Sequence, residues 1–257
     1  MKWLNWTMLF LLPAVSARAD FRAGAAVTDI TPTNFPVYVA GSFFARTATS
    51  VNTPLHARSI AFDDGEEKIV IVIVDSCMVP RTIYDEAKKL ASAATGIAPS
   101  KMLMAATHTH SAPACGRALG TPGDTNYPAF LVPRLARAVE EAVKHLEPAR
   151  VGSAVIDAGA FTAVRRWVRR PDKVELDPFG NPTVRANMHL PTSRSPIGTG
   201  PSGPEDPDLS VLAVQALDGR PIALLANFAN HSHGEAVPLS ADYFGLFADR
   251  VEAELGR

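Results

Sequence analysis

Apolar and polar positions along the chain fall into short strand-like runs separated by a few stretches of helical spacing. Phe21–Ile30 (FRAGAAVTDI) alternates weakly and is stopped by Thr31-Pro32, which predicts a first strand. Val37–Phe44 predicts a second extended piece containing Gly41. His56–Phe62 and Lys68–Val74 flank Asp63-Asp64-Gly65-Glu66-Glu67, where the Asp-Gly pair predicts a hairpin. Ile69–Val74 is apolar at every position, the pattern of a central strand covered on both faces. Met102–Ala106 is another apolar strand candidate.

Helical spacing appears three times. Arg81–Ala94 places Ile83, Ala87, Leu90 and Ala94 on one side, with Gly96 as its stop. Arg134–Leu146 carries a stripe of Leu135, Ala138, Val139, Ala142, Val143 and Leu146, with Pro133 suited to a first turn. His145, near its C-terminal end, complements the helix dipole. Val151–Thr162 predicts a strand, and Leu209–Ala216 with Pro221–Phe228 a hairpin around Asp218-Gly219. Ala241–Leu255 is the third amphipathic helix, with Leu246, Val251 and Leu255 among its apolar positions. From Pro171 to Pro207 lie eight prolines and four glycines, a composition that predicts a long loop over the domain.

Strands alternating with helices, together with several hairpins, imply an α/β fold: mixed β-sheets with helices packed on the outside, a layered sandwich. The 257 residues are 47% hydrophobic, enough for a sizeable core, and no linker divides them. A formal charge of −1 gives no basis for a nucleic-acid partner or a broadly basic membrane-binding face.

The start of the chain differs in character. Lys2 precedes the mostly apolar Trp3–Val15, and Ala17-Arg18-Ala19 puts small residues where a signal peptidase cuts. The apolar run is short for a membrane span. Residues 1–19 are therefore expected to be a signal peptide and 20–257 a secreted or periplasmic protein, soluble or peripherally attached to a membrane. After export Cys77 and Cys115 could form one disulfide, although Cys77 follows a buried-looking strand and suits a small core position.

Candidate chemistry concentrates where two apolar runs end. Met102–Ala106 leads into Thr107-His108-Thr109-His110-Ser111, and Pro221–Phe228 leads into Ala229-Asn230-His231-Ser232-His233-Gly234. In an extended backbone residues two apart share a face, so each His-x-His pair presents two imidazoles side by side. One such pair is also what a surface or a cap can carry; two in matching contexts favour a shared metal site, with zinc the first expectation for histidine ligands. Asp75, at the end of the Ile69–Val74 run, is either a site carboxylate beside a cation or a cap on the following helix. Arg165-Arg166-Trp167-Val168-Arg169-Arg170 suits a solvated rim, though an arginine fork can also serve a carbonyl or oxyanion. The sequence contains no Gly-x-Ser-x-Gly elbow, no His-Glu-x-x-His and no phosphate loop. Ser111 and Ser232 adjoin histidines, but strand neighbours point apart, which weakens a serine triad.

Several of these segments together resemble the neutral/alkaline non-lysosomal ceramidases: Thr107 to Ser111, Asn227-Phe228-Ala229-Asn230-His231, Ser240-Ala241-Asp242-Tyr243-Phe244-Gly245, Val27 to Pro32, and Asp206 to Leu212. The likeness runs from about Phe21 onward and is most specific at His-Thr-His-Ser. It implies a zinc-dependent hydrolase that cleaves the amide of an N-acyl lipid such as ceramide to a fatty acid and sphingosine. By the same likeness His108 and His231 match the zinc-binding histidines, and His110 a catalytic or ligand-orienting histidine. Arg166 matches the active-site arginine, with Arg165 an alternative. His233 has no counterpart in that pattern. The family's remaining ligands, a glutamate and a tyrosine, lie well beyond the second histidine. Either the chain is the N-terminal part of a longer catalytic domain, the reading preferred here, or Glu235, Asp242 or Tyr243 replaces them. Two other classes remain open: a secreted metal-binding or interaction protein without turnover, and a different acyl or ester hydrolase on the same scaffold.

Overall fold

A computed structural model describes residues 21–255 except 178, 188–197, 233, 235 and 236, so the expected signal peptide lies outside the described residues. The architecture is α/β, built on a seven-stranded mixed sheet of order β12-β11-β7-β1-β4-β5-β6. Its strands are β1 (Arg22–Asp29), β4 (His56–Asp63), β5 (Lys68–Val74), β6 (Met102–Ala106), β7 (Glu147–Asp157), β11 (Asp208–Ala216) and β12 (Pro221–Phe228). The β4–β5 hairpin forms where Asp-Gly predicts it: Gly65 takes φ +90, and the Asp64 side chain accepts the N–H groups of Glu66 and Glu67. β6 runs parallel to β5, with helix α1 (Arg81–Thr95) as the crossover, and Gly96 ends that helix with φ 75.

Helix α2 (Tyr127–Lys144) lies across β1 and β4, with α1 beside it. Val70, Val72, Val74, Met102 and Met104 from the sheet meet Ile83, Ala87, Leu131, Leu135 and Val139 from these helices in the main core. The β1–α2 contact is close enough to require Gly24, where a Cβ would stand 2.3 Å from the Ala142 carbonyl oxygen. Ser59, buried in β4, satisfies its hydroxyl by donating to the Ala138 carbonyl at 2.7 Å.

Four expectations need correction. The run Ile69–Val74 is covered fully on one face only: Val70, Val72 and Val74 are buried, Ile71 and Ile73 are half-buried, and Ile69 is exposed. Their open face lines a trough of about 970 Å³, bordered by Tyr243, Phe247 and Val251 of helix α3 (Asp242–Leu255). Helix α2 begins at Tyr127 rather than Arg134, and Pro133 sits inside it. Burial of Tyr127, Leu131 and Val132 extends the apolar stripe, and the Asp124 side chain accepts the N–H groups of Asn126 and Tyr127 at the true start. These gains outweigh the hydrogen bond that the proline forfeits. β7 starts and ends earlier than Val151–Thr162, because its ladder with β11 runs from Ala149↔Ala216 to Asp208↔Asp157.

The proline-rich region is the fourth. It is not all loop: β8 (Trp167–Arg169), β9 (Ala186–Asn187) and β10 (Gly198–Pro201) form a small sheet of order β10-β8-β9. Arg169, nearly buried there, pairs with Glu175 and donates to the Lys173 carbonyl. The expected extended piece at Val37–Phe44 is a two-stranded ribbon of β2 (Val37–Val39) and β3 (Arg46–Ala48), turning at Gly41 with φ +96. Cys77 and Cys115 are both buried and free, so no disulfide joins them. No described helix is long and apolar enough to cross a membrane.

Candidate metal centre

His108 and His110 follow one edge of the large sheet, β6, and His231 follows the other, β12. The sheet coils until these edges converge; β1 and β12 are in contact, and Ala23, Val214 and Ile222 share a second apolar cluster. After β6 the chain continues the parallel pattern briefly, with Thr107 N–H donating to Val74 and His108 N–H to Ser76. It then leaves the extended state. His108 has φ 71, a left-handed conformation that costs a non-glycine residue about 1–3 kcal/mol. The two imidazoles therefore do not meet as alternate residues of a strand, as the spacing implied. They meet across a turn, edge to face, with centroids 4.7 Å apart and Nε2 atoms 3.1 Å apart.

His231 completes a triangle, its ring centroid 4.7 Å from His110 and 5.3 Å from His108. Tautomers follow from the partners. His108 Nδ1 is 2.9 Å from the Cys77 carbonyl and His231 Nδ1 is 2.8 Å from the Ser232 carbonyl. A carbonyl can only accept, so each Nδ1 carries a proton and leaves Nε2 unprotonated, that of His108 in contact with His110 Nε2.

Neighbouring loops hold the triangle. Ser232 donates its hydroxyl to Asp242 and accepts the His110 N–H at 3.0 Å. Gly234 N–H also donates to Asp242, at 2.7 Å. Thr109 donates to the Ser240 carbonyl and Ser240 N–H to the Ser111 carbonyl, both at 2.8 Å. Gly41 lies against His110: a Cβ there would stand 2.5 Å from the His110 Cγ. The His110 ring has its pKa pushed down, first by partial burial, then by the nearby His108, His231 and Arg165 charges, while a hydrogen bond to the Gly41 backbone opposes this.

Other expected residues are placed as follows. Arg165 and Arg166 both line a surface depression of about 320 Å³ with Glu205, Asp206 and Ala229, the last adjoining the second histidine loop. Asp75 is not a helix cap, since α1 starts at Arg81 after Pro80. Its carboxylate is fully buried and accepts from Arg58 Nη1 at 2.7 Å and His56 N–H at 2.9 Å; burial pushes its pKa up and Arg58 opposes this. Tyr243 donates its hydroxyl to the Asn230 carbonyl at 2.8 Å, so it supports the second loop. His233 and Glu235 lie outside the described residues.

Asp242, an alternative ligand in the sequence reading, instead accepts from Ser232 and Gly234, and sequence reasoning missed Cys77, Gly41 and Ser232 as parts of the site's frame. Cys77 is the least visible, because nothing in its context marks a partner on another strand. Its thiol lies 3.8 Å from His108 Nδ1, and donor atoms of Cys77, His108 and His110 lie within 4.8 Å of one another. Burial pushes that thiol up to about 11, which disfavours the thiolate a metal needs, and its neighbour Nδ1 is the nitrogen already committed to a carbonyl.

Among the described donors, the pair spaced for one divalent metal is His108 and His110; His231 faces them ring to ring but is not in the group whose donor atoms lie within 4.8 Å of one another. Zinc–nitrogen bonds near 2.0–2.1 Å put two tetrahedral ligand nitrogens about 3.3 Å apart, and the His108 and His110 Nε2 atoms stand at 3.1 Å. No family model and no curated protein matches the sequence. Solved structures do. The chain superposes on a neutral ceramidase from Pseudomonas aeruginosa with a TM-score of 0.66 at 18% identity, and on a ceramidase complexed with C2 at 0.64 and 19%. In both cases 92% of this chain is covered but only 36% of the other, so it spans about a third of their length. At that identity the likeness is one of architecture, and on it the chain has a ceramidase-like α/β fold.

Proposed function

We propose that this chain belongs to a zinc-dependent hydrolase acting on linear amides, with an N-acyl lipid as substrate, working outside the cell or in the periplasm. The observation that carries this reading is the convergence of the His108, His110 and His231 rings from opposite sheet edges, with the Nδ1 protons of His108 and His231 committed to carbonyls so that their Nε2 atoms are unprotonated. His108 and His231 would hold the metal. When bound, zinc supplies Lewis acidity and makes water acidic enough to react near neutral pH.

The remaining work falls to the chain. Partial burial and like-charged neighbours keep His110 neutral at pH 7, so its ring can accept a proton from water and return it to the leaving amine. Water thus adds across the C–N bond, with hydroxyl to the acyl carbon and hydrogen to nitrogen. An arginine fork steadies charge developing on the carbonyl oxygen. Arg166, with Arg165 as the alternative, is the candidate for this role, since both line the depression that Ala229 of the second histidine loop adjoins.

The test is a zinc titration against a chromophoric chelator, paired with hydrolysis of a fluorescent N-acyl sphingosine. His108→Ala and His231→Ala should each lower zinc affinity by at least tenfold and abolish turnover. Unchanged affinity in both variants would defeat the proposal. A second reading, metal binding without turnover, rests on the Cys77–His108–His110 grouping. It predicts that Cys77→Ser weakens zinc binding whereas His231→Ala leaves it unchanged.

A further inference from the structure

We infer that Ser232 and Asp242 are positioning residues that fix the separation of the two histidine loops and thereby set the metal affinity of the site; this rests on the metal-centre reading above. The two loops leave opposite edges of the sheet, so strand pairing does not set their separation. Ser232 supplies a direct link. Its hydroxyl accepts the His110 N–H at 3.0 Å, and the hydroxyl proton goes to Asp242. A serine oxygen whose proton is committed to a carboxylate is a better acceptor, so the two bonds reinforce each other.

Asp242 is itself immobilised. It is nearly buried at the start of α3 with φ 58, and its Oδ1 accepts the Tyr243 N–H at 2.6 Å. Its Oδ2 serves Ser232 and the Gly234 N–H. One carboxylate therefore ties helix α3 to the segment that follows His231, at Ser232 and Gly234, and Ser232 extends the tie to His110. Packing at Gly234 agrees, since a Cβ there would meet Ser111 Oγ at 2.9 Å and Asp242 Oδ2 at 3.1 Å. Ser232 and Asp242 hold the loops that carry the rings. They act on the distance between ligands.

The experiment compares wild type with Ser232→Ala, Ser232→Thr and Asp242→Asn. Asparagine tolerates a left-handed backbone and keeps the shape, but one of its two terminal atoms is a donor, so it breaks one side of the tie without straining the turn. Two quantities are read: zinc affinity by chelator competition, and histidine ring resonances of the metal-free protein by long-range proton–nitrogen NMR. Ser232→Ala and Asp242→Asn should weaken zinc on the order of tenfold and shift the ring signals of both His110 and His231, leaving His145 unmoved. Ser232→Thr, which retains the hydroxyl, should restore both. Should Ser232→Ala fail to fold, Asp242→Asn carries the same comparison. Unchanged zinc affinity, or ring shifts confined to His231, would overturn the inference. If wild type itself takes up no zinc, the metal-centre reading fails, and the metal-free ring signals still decide whether Ser232 couples the loops.

Discussion

Gly41 is the floor against which His110 rests. It turns the β2–β3 ribbon with φ +96, and a Cβ on it would stand 2.5 Å from His110 Cγ and 2.8 Å from His110 Cα. Both requirements, a left-handed backbone and contact with the ring's root, exclude any side chain.

Gly41→Ala is therefore expected to cost about 1–3 kcal/mol of stability and to displace His110. Gly96→Ala is the control, since Gly96 also has positive φ but a Cβ there meets nothing within 4 Å. Chemical denaturation should show both variants destabilised, whereas zinc titration should show weakened binding for Gly41→Ala alone. Equal zinc affinity in the two would mean that the ribbon does not position the ring.

The His110 ring gives the metal-free protein a defined acid sensitivity. Its folded pKa lies below the ordinary value of 6.5. The unfolded chain therefore binds a proton at a pH where the native state does not, and stability is full above 6.5 and lost as pH falls toward the folded pKa. Denaturant midpoints from pH 7.5 to 5 should decline less steeply in His110→Gln than in wild type. Parallel declines would remove His110 from the account.

Arg58 and Asp75 form an ion pair at the sheet end behind the first histidine loop, with Asp75 fully buried and Arg58 one-fifth exposed. Arg58→Met leaves a buried carboxylate without its cation and should cost about 3 kcal/mol or more at neutral pH. The loss should shrink on acidification. A carboxyl whose folded pKa is raised contributes its stability below the unfolded value of 3.8 and loses it as pH rises through the folded one. A deficit independent of pH would point to lost packing of the arginine stem instead.

Leu135 in α2 is fully buried, whereas Val155 in β7 is 63% exposed. Leu135→Ala should cost about 2–5 kcal/mol by leaving a cavity. Val155→Ala should stay within about 0.5 kcal/mol. A large effect at Val155 in thermal unfolding would show that its face is covered in solution.

Local chemistry is what the sequence carries on its face. Asp64-Gly65 and Asp218-Gly219 make hairpins because few other pairs accept a positive φ, and both hairpins form. Apolar spacing in Arg81–Ala94 places its helix nearly to the residue, but the face that packs is Ile83, Ala87 and Ala91, while Leu90 and Ala94, expected on that side, are exposed. Where local signals conflict, they mislead. Pro133 looked like a helix start, and the proline-rich region looked like unbroken loop, because burial of Tyr127 and pairing of Trp167–Arg169 are contributions from partners far along the chain.

The site divides in the same way. Two His-x-His pairs at the ends of apolar runs are visible without a structure, since ligand type and a strand-to-loop context are local properties. That His231 faces His108 and His110 is not, because the coiling of a seven-stranded sheet, which no segment encodes alone, brings together the loops that follow its two edge strands. The same coiling puts Gly41, Ser232 and Asp242 around the rings, and turns His108 into a left-handed residue whose ring direction is fixed by a carbonyl from the neighbouring strand's end. Sequence determined which residues could act; only tertiary packing decided which of them meet, because the distances between loops are set by the sheet's curvature and not by the spacing of residues along the chain.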